Sequence, residues 1–184
     1  MSDGYRKILE RADSWFDQVS REQPAALLCR QGCSLCCQGL FEIGAADVVV
    51  IAEALGRLPA SRRGEIEGRA QAIVRDSEHP DLREASPSEK EAFFEKTSST
   101  PCPALDETGA CMIYESRPLV CRTFGLPIRD GSNYLGQECE LNFTQSSEGE
   151  RERAAWDLQW EDILGPEDEY TIPEAIVLAA RMRS

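Results

Sequence analysis

Histidine is nearly missing from this 184-residue chain: His79 is the single imidazole, and it stands before Pro80 in the polar stretch from Asp76 to Ser88. A ligand set built on imidazole is therefore not on offer, and a solvated loop position is the default expectation for His79. Long apolar runs are lacking too. The longest, Ala45 to Leu55, is interrupted by Asp47 and Glu53 and falls short of the roughly 20 apolar residues a membrane span needs, so no membrane partner is expected. Basic residues are in the minority, 20 against 33 acidic ones, for a net charge of −13. That field repels phosphate backbones and anionic headgroups, so no nucleic-acid partner is expected either. The opening MSDGYRKILERADSW lacks the charged start, apolar stretch and small-residue cleavage site of a secretory signal, which predicts a cytoplasmic protein. No low-complexity tract interrupts the chain. Its 41% hydrophobic and 29% charged residues are ordinary for a folded protein, long enough to bury a core without covalent staples.

Against these absences stand eight cysteines in two groups. Cys29, Cys33, Cys36 and Cys37 fall within nine residues, and Cys102, Cys111, Cys121 and Cys139 follow some 65 residues later. In a reducing compartment such crowding is metal or catalytic chemistry more often than disulfide bonding. Thiolates are soft ligands that suit zinc, copper(I) and iron–sulfur clusters, whereas magnesium or calcium would call for oxygen ligands. The spacing Cys29-x3-Cys33-x2-Cys36-Cys37 lets three thiolates converge from a loop leading into a helix, with Gly32 easing the turn and free backbone N–H groups able to donate to sulfur. Cys36 and Cys37, as adjacent residues, project about 100° apart on a helix and to opposite faces of a strand. One of the two is therefore expected to face elsewhere, and eight thiols allow two four-cysteine sites or one site with spares. The later spacings, x8, x9 and x17, match no simple zinc-finger pattern.

The hydrophobic pattern predicts a mainly α fold with a small loop-rich α+β cysteine module, forming a single metal-stapled domain. Residues 1–26 read as an N-terminal amphipathic helix, 27–145 as the cysteine-cluster metal-binding domain and 146–184 as a C-terminal helical extension. Tyr5, Ile8, Leu9, Ala12, Trp15, Phe16 and Val19 recur at helical spacing between Asp3 and Gln23, with Pro24 beyond. Leu40 to Ile43 reads as a brief extended stretch. Helices are predicted over Ala45–Leu58, from Pro59 to about Ser77, and from Ser86 or Ser88 to Lys96, before Thr-Ser-Ser-Thr-Pro breaks regular structure. A turn at Glu107–Gly109 precedes Cys111, Asp130-Gly131 suits a hairpin, and Pro118 stands at a helix start with Cys121 one turn in. Helices at about Glu148–Leu164 and Pro173–Met182 close the chain.

The string from Cys29 to Cys37 has three companions: Cys102-Pro-Ala-Leu, Gly109-Ala-Cys-Met-Ile-Tyr114 and Arg117-Pro-Leu-Val-Cys-Arg122. Together these resemble the YkgJ-type cysteine cluster (CxxCxxCC) family, described as zinc- or iron-chelating and often labelled an iron–sulfur protein, over roughly residues 27–145. The first gap here is three residues, where the family name implies two. The resemblance implies a metal site drawing on Cys29, Cys33, Cys36, Cys37, Cys102, Cys111, Cys121 and Cys139, with Arg117 and Arg122 beside it. Arginine donors near a thiolate site would offset its negative charge; the competing reading pairs them with Asp106, Glu107 or Glu115.

The function expected is that of a cytoplasmic metal-binding protein holding an iron–sulfur cluster of the 4Fe-4S kind, or zinc or iron, for redox or metal handling, with a redox protein as partner. A structural zinc protein is the alternative. An iron–sulfur enzyme is a further one: Cys29-x3-Cys33-x2-Cys36 has radical SAM spacing, but the β/α partial barrel such enzymes need does not follow. Flagellin lysine N-methylases carry a similar cysteine region in longer chains. Cys33-Ser-Leu-Cys36 also has CxxC redox spacing, without the thioredoxin-like βαβ context.

Overall fold

The computed structural model describes residues 3–30, 32–136, 138–157 and 169–183. Helix predominates, with small sheets beside it. The described residues fall into two compact units, each assembled from two separate stretches: Met1–Gln31 with Leu119–Gly165, and Gly32–Pro118 with Pro166–Ser184.

In the first unit, helix α1 (Asp3–Glu22) buries Tyr5, Leu9, Ala12 and Val19, the stripe its periodicity predicts. It ends as the amide of Gln23 bonds back to the Val19 carbonyl, just before Pro24 would break the ladder. The short helix α5 (Leu119–Thr123) packs on α1. Five residues make too little helix to stand alone; α5 is held by Arg122, 7% exposed, which pairs with Asp13 of α1. Strands β2 (Ile128–Asp130) and β3 (Asn133–Gly136) form the expected hairpin. Helix α6 (Glu148–Ala154) begins where the Glu150 carboxylate accepts from the amide and hydroxyl of Ser147. The long helix expected to Leu164 stops instead at Ala154. Ala155 turns extended, and the Trp156 amide bonds to the Pro127 carbonyl, so β4 (Trp156–Asp157) runs parallel to β2. The reason is burial: Ala154, Ala155 and Trp156 are all within a few per cent of full burial, and the indole Nε1 of Trp15 donates to the Ala154 carbonyl, closing the helix end. Residues 158–164 of that expected helix lie outside the described residues.

In the second unit, β1 (Glu42–Gly44) leads straight into α2 (Ala45–Arg57), and β5 (Glu169–Thr171) leads straight into α7 (Ile172–Arg181). The two strands pair antiparallel, Ile43 opposite Tyr170, so two similar strand–helix pieces far apart in sequence are joined. Helix α7 packs on α2 and on α3 (Ala60–Asp76). Val48, Ile51, Leu55, Ile66, Ala70, Ile172, Ala175, Ile176 and Ala179 supply the core, each large aliphatic contributing about 1.5–3 kcal/mol. A smaller cluster joins Leu40, Leu82 and Phe93, the last from α4 (Pro87–Lys96), which starts with the predicted Ser86 cap and a Glu89 capping box. His79 is not a solvated loop residue. Its side chain is 5% exposed, its ring stacks on Phe93, and its Nε2 hydrogen-bonds the Thr171 hydroxyl at 2.6 Å.

Neither unit contains a run of strand–helix repeats among its described residues, and no described helix is long and apolar enough to cross a membrane.

Candidate metal centre

The second unit contains five of the eight cysteines. Ser34 opens a single 3-10 turn, Leu35–Cys37, which lies against the loop from Ser98 to Met112 through backbone bonds. The Gly39 amide donates to the Thr100 carbonyl and the Cys102 amide to the Cys37 carbonyl, both at 2.8 Å, while Gln38 and Pro101 form an isolated bridge. Gly39 permits this approach: its φ is +96°, and a Cβ there would stand 3.2 Å from the Ser98 carbonyl oxygen. The same loop then folds on itself. Leu105 bridges Cys111, the Met112 amide donates to the Ala104 carbonyl, and Asp106 accepts from the amides of Thr108 and Ala110 across the predicted turn. The Thr108 hydroxyl, which also donates to Asp106 at 2.7 Å, and then those amides hold the Asp106 carboxyl below the usual carboxylate range. Cys37, Cys102 and Cys111 thus stand on backbone that is fixed without help from their side chains.

Their thiols form one electrostatic group. The Cys36 thiol is pushed well above its ordinary value, first by a hydrogen bond with Cys37 and then by burial. Burial pushes Cys102 up to about 12 and raises Cys111, and the thiols of Cys36, Cys102 and Cys111 lie within repulsive reach of one another as thiolates. Arg117 opposes this at Cys36 and Cys111. Its guanidinium sits 3.8 Å over the Tyr114 ring and its Nε donates to the Tyr114 carbonyl, which fixes the charge in place. A metal ion taken up here must displace thiol protons, so binding is coupled to proton release.

Cys36 and Cys37 meet, contrary to the expectation that one would face away. The 100° separation is that of a continuous α-helix; here the turn ends at Cys37 and Gln38 is already extended, at φ −97° and ψ 126°, so the two thiols can approach. Cys33, just ahead of the turn, is exposed.

The first unit holds Cys29, Cys121 and Cys139. Gly125, with φ +98°, brings two of them together: a Cβ on it would lie 2.8 Å from the Cys29 sulfur and 3.9 Å from Cys139 Cβ. Asn142 knits the place, at 3% exposure. Its Nδ2 donates to the Cys29 sulfur (3.0 Å) and to the Gly125 carbonyl (2.8 Å), its Oδ1 accepts from the Leu28 amide (2.9 Å), and its own amide donates to the Cys139 carbonyl (2.8 Å). Cys139 is 7% exposed and Cys121, on α5, is half-buried. Arg122, expected beside the metal, is paired with Asp13 on α1, a partner outside the cysteine motif. Asn142 and Gly125 escaped the sequence reading because neither residue type advertises a thiol neighbour. Their only signal is nearness in sequence to Cys139 and Cys121.

None of the eight cysteines is joined in a disulfide. No three Cys, His, Asp or Glu side chains among the described residues stand together in ligating geometry. The donor chemistry fits a thiophilic ion: sulfur predominates, and His79 is engaged with Thr171 and Phe93. Reduced, partly buried thiols on fixed backbone suit zinc or iron and not a hard cation.

Fold and donor set together define a mainly helical protein with a thiol-rich, zinc- or iron-chelating type of domain. Residues 28–140 match the CxxCxxCC family, "Putative zinc- or iron-chelating domain", and since this is more than half of the sequence, the chain belongs to that family. No curated protein and no solved structure matches it.

Proposed function

We propose that this chain is a cytoplasmic metal-binding protein that holds iron through its cysteine thiolates as an iron–sulfur cluster, used in redox or metal handling with a redox protein as partner. The observation carrying this reading is the grouping of the Cys36, Cys37, Cys102 and Cys111 thiols on mutually tethered backbone. Four cysteines are the usual complement of a cluster, and Arg117 supplies the positive charge that a cluster with four thiolates lacks. The negative net charge of −13 supports a protein or metal partner over nucleic acid or an anionic membrane surface. Anaerobic purification followed by iron, zinc and acid-labile sulfide analysis tests this. Iron and sulfide in equal amounts, with broad visible absorption that bleaches on reduction, are expected; colourless protein with stoichiometric zinc would sink the cluster.

A structural zinc reading is the second, favoured by one feature: the loop from Ser98 to Met112 has isolated bridges but no regular element beyond them, which is the kind of segment a four-thiolate zinc ion ties down.

A further inference from the structure

We infer that this chain binds a small organic anion, a carboxylate carried on a flat apolar body, in a cleft of the first unit that has no cysteine in its lining. The cleft has a volume of about 370 Å³, at the small end of the range that ligand pockets occupy. Helix α1 supplies one side of it. Arg11, Ser14, Trp15 and Gln18 line the cleft, and their i, i+3, i+4, i+7 spacing places them on one face of the helix. The core stripe of α1, Tyr5, Leu9, Ala12 and Val19, runs along a different face, so this second stripe is not explained by core packing. The sheet supplies the rest: Arg129 from β2, and Trp156 and Asp157 from β4. Helix α1 and strand β4 both lie outside residues 28–140, the segment matched by the family, so the cleft is an addition to the cysteine domain.

The lining sets the class of ligand. Trp156, 3% exposed, is the more deeply buried of the two indoles, and the Arg11 guanidinium stands 5.0 Å from the centre of its ring. That contact holds a positive charge over apolar surface. A second guanidinium is positioned by an acid that is already engaged: Asp157 lies 3.5 Å from Arg129 through one oxygen and accepts from the Gly131 amide at 3.3 Å through the other. The cleft therefore sets two guanidiniums against one carboxylate, in a chain whose net charge is −13. This local reversal of sign selects an anion, and a half-enclosed cleft strengthens the attraction relative to open solvent. Guanidinium forks match the planar geometry of a carboxylate. A bare hydrated ion would leave the two indoles uncovered, whereas a flat apolar body gains by packing on them.

The test is an NMR titration of the isotope-labelled full chain, read at the indole N–H peaks of Trp15 and Trp156. Benzoate is the probe, with benzamide as the same ring without the charge and inorganic phosphate as charge without the ring. Benzoate is expected to move both peaks with an affinity in the millimolar range, as suits a ligand of its size. Benzamide should bind at least about fivefold more weakly, and phosphate should leave both peaks in place. Arg11→Gln and Arg129→Gln should each weaken benzoate roughly two- to fivefold and narrow its advantage over benzamide, a change that a purely structural role would not produce. The comparison of probes on wild type holds whether or not the variants fold. Equal affinity for benzoate and benzamide would overturn the assignment of an anion, phosphate moving the peaks as benzoate does would overturn the flat body, and peaks unmoved by every probe would overturn the cleft as a binding site. None of these outcomes bears on metal binding by the thiols.

Discussion

Gly125 is where one missing methyl group matters most. Its φ of +98° is a backbone conformation that L side chains adopt at a cost of roughly 1–2 kcal/mol, and the Cβ of an alanine would stand 2.8 Å from both the Cys29 sulfur and Asn142 Nδ2. Gly125→Ala is therefore expected to lose at least about 1–2 kcal/mol of stability, read from the urea midpoint of the metal-free protein; a midpoint equal to wild type would contradict the close approach. At His79 the governing effect is burial, which lowers the imidazole below its unfolded value of 6.5, with Glu174 opposing. The unfolded chain then binds the proton more readily than the folded one. Stability is full above about pH 6.5 and declines as pH falls below it. His79→Gln should flatten this dependence, so the gap between thermal midpoints at pH 7.5 and 5.5 should be smaller in the variant than in wild type. An equal gap would place the acid sensitivity elsewhere. The sequence showed His79 only as a residue before proline in polar surroundings. Its Thr171 partner is 92 residues away, and no local pattern encodes such a pairing.

Elements were more legible than residues where a repeating pattern specified them. The stripe of α1, the Ser86 cap of α4, Pro59 between α2 and α3 and the Asp130-Gly131 hairpin are local: each needs only a few neighbouring side chains and standard backbone preferences. The Ser86 cap gives a direct test. Its hydroxyl accepts from the Glu89 amide while the Glu89 carboxylate accepts from the Ser86 amide, so Ser86→Ala should cost about 1 kcal/mol, measured as a lower thermal midpoint with metal stoichiometry unchanged. The end of α6 was not legible. Propensity alone would carry the helix past Ala154, but Trp156 gains more by joining β2 as a strand, where its amide meets the Pro127 carbonyl and its ring is buried. The meeting of Cys36 and Cys37 belongs to the same scale: a three-residue 3-10 turn obeys neither the helical nor the strand projection rule that a sequence argument must assume.

For the whole molecule, ligand linkage sets the largest expected effect. A metal that binds only the folded chain, at a free concentration a hundred times its dissociation constant, adds about 2.7 kcal/mol, which for a chain of this length raises the melting point by roughly 5–10 °C per site. Calorimetry with and without zinc, then with excess chelator, should show that rise and its reversal; an unchanged melting point would separate the thiols from stability. The assembly of each compact unit from two distant stretches also bears on folding. The β1–β5 pair and the docking of α7 on α2 and α3 join residues more than a hundred positions apart, contacts whose loop-closure entropy makes them late to form.

The sequence by itself determined the chemistry: eight thiols, one histidine and an acidic surface specify a soft-metal binder through composition and spacing, because ligand softness is a property of residue type. It also determined the helices whose pattern is local. Which thiols stand together was decided only by the tertiary structure. Cys29 shares its Gly125–Asn142 cradle with Cys139, more than a hundred residues away in the chain. The physical reason is that a sulfur's neighbours are set by the backbone contacts that position it, and here those contacts, from Cys37 to Cys102 and from Leu28 to Asn142, are all long-range.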